Sequence, residues 1–324
     1  MVRLVVVHGR DQHYEIPATL RREWEEALRF GLERAKAPYA QAVDVSFSFY
    51  GDLWRPDAGD AERSGARATR PSGQPSQVQR ALAADLLSAA PGSRAGPRAR
   101  ATDDAGPDRL GWDNLAGLIA TLDARFGVGR RVLEWFLTDV DDYFRVARLR
   151  RDAQGRLTKA LRAAGPDVVL VAHSMGSIVG YDLLNSAAGT RLPLRALVTF
   201  GSPLGLPSMR AALAGHGGRT PFPAPVDRWI NVFNRKDFAT VVRDLAPLYP
   251  SSNERKVEGK EAKGRDPGLT SPTAAHDAKV YLSSVAMGQA LRALLDDSMG
   301  HNVANGERGA TERPVAAPCR ARLG

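Results

Sequence analysis

The chain has 324 residues, a length that suits one large α/β domain with an insertion, or two small domains. Hydrophobic residues account for 43% of it and charged residues for 25%, as in ordinary globular proteins, and no stretch is long and apolar enough to predict a membrane span. The only cysteine is Cys319, which excludes an intrachain disulfide and favours a reducing, cytoplasmic location.

The first 54 residues predict a strand, a helix and a second strand. Residues 3–8 are an apolar run typical of a buried strand, and a loop follows from Gly9 to His13. Apolar residues recur every four positions over 18–35, which predicts an amphipathic helix. Residues 43–49 alternate apolar with small or polar side chains and therefore predict a strand.

The composition changes between residues 55 and 110, where Gly, Pro, Ala, Ser and Arg dominate. We interpret this segment as an irregular insertion with one helix over 78–89, because so long a structureless loop is unusual inside a compact domain. Residues 63–100 hold seven arginines and one acidic residue, so they account for much of the formal charge of +9. They have few aromatic residues on which bases could stack, so a solvated insertion is a better explanation than nucleic-acid binding.

Residues 112–162 return to a helical pattern with two apolar faces. One face carries aliphatic residues between Leu115 and Leu122, and the other carries aromatic and aliphatic residues between Val132 and Phe144. Such faces are typical of core packing, and they equally suit a helical cap over a cleft. The sequence leaves both interpretations open.

The stretch over 167–184 predicts a buried strand followed directly by a helix. The turn between them reads Ala172-His173-Ser174-Met175-Gly176, a variant of the G-x-S-x-G nucleophile elbow with Ala172 at the first small position. In such an elbow the serine oxygen stands above the sheet, and small residues on either side let neighbouring backbone approach. We therefore predict Ser174 as a nucleophile, against the alternative of a chance Ser-x-Gly turn.

Two further strands follow, over 194–200 and 228–233. Residues 251–275 are polar and predict irregular structure, and a final helix is expected over 277–295. Residues 297–324 have little to bury, so we expect a disordered tail. Strands that alternate with helices predict a single α/β domain over 1–296, with a mainly parallel sheet covered by helices on both faces.

A serine nucleophile needs a base, and the base needs an orienting acid. Asp237 lies just beyond the strand over 228–233, and His276 precedes the last helix, so both follow Ser174 in the order expected for this kind of sheet. Asp237 has a plainer alternative as a turn residue or helix cap. His13, in the first loop, is a rival base, but it precedes the serine in the chain. We predict Asp237 as the acid and His276 as the base.

Acyl transfer also needs donors for the oxyanion. The backbone N–H of Met175, the residue after the nucleophile, is the first candidate. We expect the second from the loop after the first strand, where Gly9 lets the backbone come close, and favour the N–H of Arg10. The alternative for Gly9 is a plain turn.

Together these residues resemble the α/β-hydrolase superfamily, in particular its bacterial lipase- and esterase-like members. The resemblance rests on the elbow around Ser174, the Val7-His8-Gly9 opening, the Thr199-Phe200-Gly201-Ser202-Pro203 strand end, Asp237 and His276. It covers residues 1–54 and 165–295 and leaves out the insertion and the tail. It implies an α/β-hydrolase fold with a helical or irregular insertion.

The expected function is that of a serine hydrolase that cleaves a carboxylic ester or related acyl bond through an acyl-enzyme, with Gly9, Ala172 and Gly176 supporting the site. The expected substrate is a small-molecule or lipid-like acyl compound. No cofactor is implied, and the histidines outside the predicted site have no metal-ligand spacing, so we expect no metal. A peptidase or thioesterase with the same residues, and a non-catalytic binding domain, are the alternatives. The sequence leaves the oligomeric state open.

Overall fold

Six strands form one parallel sheet in the computed structural model, which describes residues 3–9, 12, 14–54, 75–89, 115–192, 194–214, 218–251, 253–264, 267–272 and 274–308. The strands are β1 (Arg3–Val7), β2 (Asp44–Ser48), β3 (Val168–His173), β4 (Leu194–Phe200), β5 (Arg228–Phe233) and β6 (Val257–Glu261). Every strand pair within the described residues is parallel, and the order across the sheet is β2-β1-β3-β4-β5-β6.

The strand order reverses at β1, which lies between β2 and β3. From β1 the chain forms β2 on one side, and it then forms β3, β4, β5 and β6 in turn on the other side of β1. In open parallel sheets this reversal opens a crevice beyond the carboxyl ends of the two diverging strands. Gly9 follows β1 and Ser174 follows β3, so both predicted site segments lie at this point.

Helices cover both faces of the sheet. Those of the described residues are α1 (Pro17–Arg34), α2 (Gln77–Ala89), α3 (Leu115–Phe126), α4 (Arg130–Arg145), α5 (Ala147–Ala164), α6 (Met175–Leu184), α7 (Pro207–Leu213), α8 (Pro267–Thr270), α9 (Ala278–Leu282) and α10 (Val285–Arg308). Helices α1, α9 and α10 pack on one face, and α2 to α7 pack on the other. The predicted α/β architecture is therefore confirmed, with a parallel sheet between two helical layers.

Alternate residues of each strand enter different cores. Val5 and Val7 of β1 pack under α5 and α6, whereas Leu4 and Val6 pack under α1 and α10, and all four are at most 1% exposed. This two-sided burial explains why β1 and β3 are almost continuously apolar in sequence.

The predicted insertion contains a helix that belongs to the core. Leu82, Ala83 and Leu86 of α2 are fully buried with residues of α3 and α4, so this part is integral to the domain. The rest of the predicted insertion, 55–74 and 90–110, lies outside the described residues. The predicted helical segment over 112–162 consists of α3, α4 and α5 from residue 115 onwards.

The structure differs from three predictions at the carboxyl end. The segment over 251–275 contains β6, whose sequence Val-Glu-Gly-Lys-Glu is polar because an edge strand pairs on one side only and is mostly exposed. The expected helix over 277–295 is split into α9 and α10, since the Ser284 hydroxyl accepts the Met287 N–H (3.1 Å) and caps a new helix. Helix α10 runs on to Arg308, so the expected disordered tail is helical that far, and 309–324 lie outside the described residues.

A partly buried polar cluster joins helix α6, which follows Ser174, to helices α4 and α5. Asp182 of α6 accepts two hydrogen bonds of 2.6 Å from the Arg150 guanidinium and one of 2.6 Å from the Tyr143 hydroxyl. Gln154 adds a donor to the same carboxylate at 2.6 Å. These contacts join α4, α5 and α6 into one unit behind the serine.

We predict that Gly288→Ala destabilises the protein by about 1–3 kcal/mol, because overpacking a tight contact strains the fold. A Cβ at this position of α10 would overlap the Gly31 carbonyl oxygen of α1. The matched control is Gly155→Ala in α5, where a Cβ would meet no atom within 4 Å and the helix should gain up to ~1 kcal/mol. Urea unfolding of both variants measures the difference, and equal stability of Gly288→Ala and the wild type would contradict the packing described here.

Candidate active site

Ser174 lies at a sharp turn between β3 and α6 with a strained backbone. Its φ of 50° and ψ of −123° are unfavourable for a residue with a side chain, at a cost of roughly 1–3 kcal/mol. The turn is held from both sides: the Ser174 N–H donates to the Phe200 carbonyl (3.0 Å), and the Ser174 carbonyl accepts the Ser177 N–H (2.9 Å) and hydroxyl (2.5 Å). The turn therefore has the strand–turn–helix context of the predicted elbow, and Ser174 within it is fully buried.

The predicted supporting residues make room for this turn. A Cβ at Gly9 would lie 2.8 Å from the Ser174 Cβ, and a Cβ at Gly176 would lie 2.9 Å from the Val7 carbonyl oxygen and overlap that of His8. Ala172 is fully buried in β3 and faces α6. Glycine at 9 and 176 is therefore required for β1 to approach the elbow this closely.

The structure brings Ser174, His276 and Asp237 into one hydrogen-bonded chain. The Ser174 Oγ is 2.9 Å from His276 Nε2, and His276 Nδ1 is 2.8 Å from Asp237 Oδ1. With the Nδ1 proton donated to the carboxylate, the lone pair on Nε2 is free to accept the serine proton. The Asp237 side chain is 0% exposed and that of His276 is 13% exposed, so water is largely excluded from the chain.

Asp237 also plays the alternative role that the sequence allowed. It precedes a single 3-10 turn over Phe238–Thr240, and its Oδ1 accepts the Ala239 N–H (2.9 Å) as a cap. The Tyr281 hydroxyl donates to the other oxygen, Oδ2, at 2.8 Å. The buried carboxylate therefore has three donors, which offset its loss of water.

His173, the residue before the serine, packs against the base. Its Nε2 donates to the backbone carbonyl of His276 (3.1 Å), and the two rings lie 5.0 Å apart. Burial, and secondarily the charge of the protonated His276, lowers the pKa of His173 well below its ordinary value of 6.5. A neutral His173 thus tethers the loop that carries the base.

A second histidine, His8, shapes the loop after β1. The Tyr50 N–H donates to His8 Nε2 (2.9 Å), so the proton sits on Nδ1 and is donated to the Gly9 carbonyl (2.5 Å). The Tyr50 hydroxyl donates to the His8 carbonyl (2.8 Å). Arg10, predicted to supply one oxyanion donor, lies outside the described residues, as does the rival base His13. Met175, predicted to supply the other, is the first residue of α6, where backbone N–H groups have no carbonyl partner within the helix.

A cleft of about 320 Å³ borders His173 and His276. Its other lining residues include apolar and charged side chains, namely Gln12, Glu15, Leu20, Glu23, Trp24, Val132, Asp277, Ala278 and Lys279. The cleft therefore lies beside His276 of the Ser–His–Asp chain.

Helices α3 and α4 approach His276 through the Phe238 ring. This ring lies 4.9 Å from the His276 ring and contacts Phe136 of α4 (5.3 Å) and Phe126 of α3 (6.4 Å). Both helices are part of the main core.

Sequence reasoning missed the roles of Tyr281, His173 and Tyr50. Tyr281 lies five residues after His276, and nothing in a local pattern shows that its hydroxyl reaches a carboxylate on another loop. No local pattern shows that the His173 side chain donates to the His276 carbonyl, or that Tyr50 donates to the loop after β1.

Comparison with known proteins identifies no relative: no protein-family model, curated protein or solved structure matches this chain. Within the residues that the structure describes, no group of three or more His, Cys, Asp or Glu side chains is arranged to hold a metal ion. Over the same residues, no helix has the length and apolar character needed to cross a membrane.

We predict that His173 makes stability depend on pH. Because its pKa is lowered by folding, the unfolded chain binds a proton first as the pH falls below 6.5, and stability is lost from there down to the folded pKa. His173→Gln keeps an amide nitrogen in place of Nε2 but does not titrate. Relative to this variant, the wild type should lose up to ~1.4 kcal/mol per pH unit below 6.5 in urea unfolding. Parallel stability curves for the two proteins would refute the neutral, buried state of His173.

Proposed function

We propose that the chain is an α/β-hydrolase-like serine hydrolase, which cleaves a carboxylic ester or related acyl bond through an acyl-enzyme on Ser174. The single observation that carries the proposal is the continuous chain from the Ser174 hydroxyl through His276 to Asp237, with distances of 2.9 and 2.8 Å. The nucleophile, base and acid of acyl transfer need this order and these separations.

In the proposed first step, His276 Nε2 takes the hydroxyl proton as Ser174 Oγ bonds to the acyl carbon. The imidazolium then gives this proton to the leaving group, and the acyl group remains on the serine. Asp237 holds the Nδ1 proton in place and stabilises the imidazolium. In the second step His276 activates a water molecule, which releases the acid and restores the serine.

The oxyanion would be stabilised by backbone donors. The Met175 N–H begins α6, whose amino end favours negative charge. The Arg10 N–H is the proposed second donor, and the position of Gly9 against Ser174 supports it, because the loop after β1 comes directly beside the nucleophile.

The same mechanism serves esters, thioesters, amides and peptides. The lining of the cleft includes Leu20 and Trp24, which favours an apolar acyl or leaving group, and also charged residues such as Glu15. We propose a small-molecule or lipid-like ester as the preferred class, with thioesters and peptides as the alternatives within the same chemistry.

The expected result of treatment with a fluorophosphonate probe is covalent labelling of the wild type at Ser174, identified by mass spectrometry of the labelled peptide. Ser174→Ala should not label, because the variant lacks the hydroxyl that hydrogen-bonds to His276. Ser186→Ala is the control. Its hydroxyl donates to the Leu183 carbonyl (2.7 Å) and accepts the Gly189 N–H (3.1 Å), both at the far end of α6, so labelling should be unchanged. If the folded wild type does not label, the chain is a non-catalytic domain and the proposal fails.

Asp237→Asn is expected to lower kcat for chromogenic esters by on the order of 10⁴-fold with little change in KM, because the amide favours the wrong imidazole tautomer. Asp244→Asn is the matched control: this carboxylate is exposed, caps a neighbouring turn through the Ala246 N–H (3.1 Å) and should keep full activity. A series of acyl lengths identifies the preferred acyl group. Similar rates for Asp237→Asn and Asp244→Asn would remove Asp237 from the mechanism.

A further inference from the structure

We infer that Tyr281 is a positioning residue of the proposed site, whose hydroxyl orients the Asp237 carboxylate and limits its pull on the proton held by His276. This inference rests on the proposed function, because it concerns the acid of the same Ser–His–Asp chain. The acyl-transfer mechanism proposed above gives Tyr281 no role, and this inference supplies one.

The geometry places Tyr281 directly behind the acid. Its hydroxyl donates to Asp237 Oδ2 at 2.8 Å, while Oδ1 faces His276 Nδ1 at 2.8 Å. Tyr281 is fully buried, and its ring packs against Phe200 at 5.7 Å. With both oxygens engaged, the carboxylate cannot rotate without breaking a hydrogen bond.

The base and this tether come from one short segment. His276 is followed by Asp277, whose carboxylate accepts the Lys279 N–H (2.7 Å) and begins α9, and Tyr281 lies on that helix. A displacement of α9 would therefore move the base and the anchor of the acid together.

The hydroxyl remains a proton donor. Burial, and secondarily the charge of Asp237, raises the pKa of Tyr281 well above its ordinary value of 10.0, so the phenol stays protonated at physiological pH. The Thr240 hydroxyl and the Asn234 backbone oppose this effect in part. A neutral donor to a carboxylate draws off part of its negative charge, and the carboxylate then attracts the imidazolium less strongly.

Other groups also act on His276, and each stays the same when Tyr281 is changed. Asp237 and Ser174 bond to its ring, and the neutral His173 lies 5.0 Å away. The cleft walls contribute three carboxylates and one ammonium group, namely Glu15, Glu23, Asp277 and Lys279. A change seen in Tyr281→Phe is therefore attributable to the lost donor.

The test follows the His276 imidazole by NMR titration, with its signals assigned from their loss in His276→Gln. In Tyr281→Phe the midpoint of the titration should move to higher pH, which corresponds to roughly three- to tenfold tighter proton binding. The control is Tyr249→Phe. Tyr249 is equally buried, and its hydroxyl donates to the Leu204 carbonyl (2.7 Å) instead of to a residue of the Ser–His–Asp chain. This control should titrate like the wild type.

A second arm strengthens the donor instead of removing it. A 3-fluorotyrosine placed at position 281 is more acidic, donates more strongly and should move the His276 titration to lower pH. If Tyr281→Phe fails to fold, this arm decides the question. The inference is overturned if the His276 midpoint in Tyr281→Phe equals that in Tyr249→Phe. It is also overturned if the midpoint does not move with 3-fluorotyrosine at position 281.

The NMR measurement needs no turnover, so its outcome is separate from that of the proposed function. Suppose the midpoint moves up in Tyr281→Phe and down with 3-fluorotyrosine while the protein does not label with the fluorophosphonate probe. Tyr281 is then a positioning residue of a non-catalytic site. In an active enzyme, the acidic limb of kcat/KM should move with the titration. If the Tyr281 variants are active but neither the acidic limb of kcat/KM nor the His276 midpoint moves, the role of Tyr281 is refuted and the proposed hydrolase function still stands.

Discussion

The backbone of Ser174 is the constraint on which the rest of the site depends. A residue with a side chain at φ 50° and ψ −123° persists only where its surroundings hold it. Here the Ser174 N–H donates to the Phe200 carbonyl of β4, and the Ser174 carbonyl accepts the Ser177 hydroxyl of α6. Glycines at 9 and 176 let the end of β1 pack directly against the turn. The parallel sheet supplies these partners, because the carboxyl ends of β1, β3 and β4 lie at one edge.

The polar groups around this turn are buried, and each has a partner that defines its state. The Asp237 carboxylate accepts from three donors, while His173 is neutral and donates to the backbone of His276. Neutrality at His173 matters for the proposed chemistry, since a second positive charge 5.0 Å from the base would oppose formation of the imidazolium. Ser174 is 0% exposed, so a substrate carbonyl reaches it only when neighbouring side chains move.

Strong periodic patterns made much of the fold predictable. The strands at 194–200 and 228–233 occur as expected, and the elbow strand and α1 differ by a residue or so at their ends, because buried elements repeat their apolar residues at a regular interval. β6 was missed because an edge strand is exposed and polar, and its pairing with β5 is a tertiary contact. The break between α9 and α10 depends on the Ser284 hydroxyl, a local signal that the continuing apolar pattern obscured.

The sequence by itself determined that a serine stands between a strand and a helix, that small residues flank it, and that an Asp and a His follow in a workable order. These are local properties of spacing and residue type. Only the tertiary structure decided that Asp237 and His276, 39 positions apart, meet within 2.8 Å, that Tyr281 donates to the same carboxylate, and that His173 is buried and neutral. Such contacts join loops whose distance in the chain says nothing of their distance in space. They arise because the parallel sheet brings the carboxyl ends of its strands to a single edge.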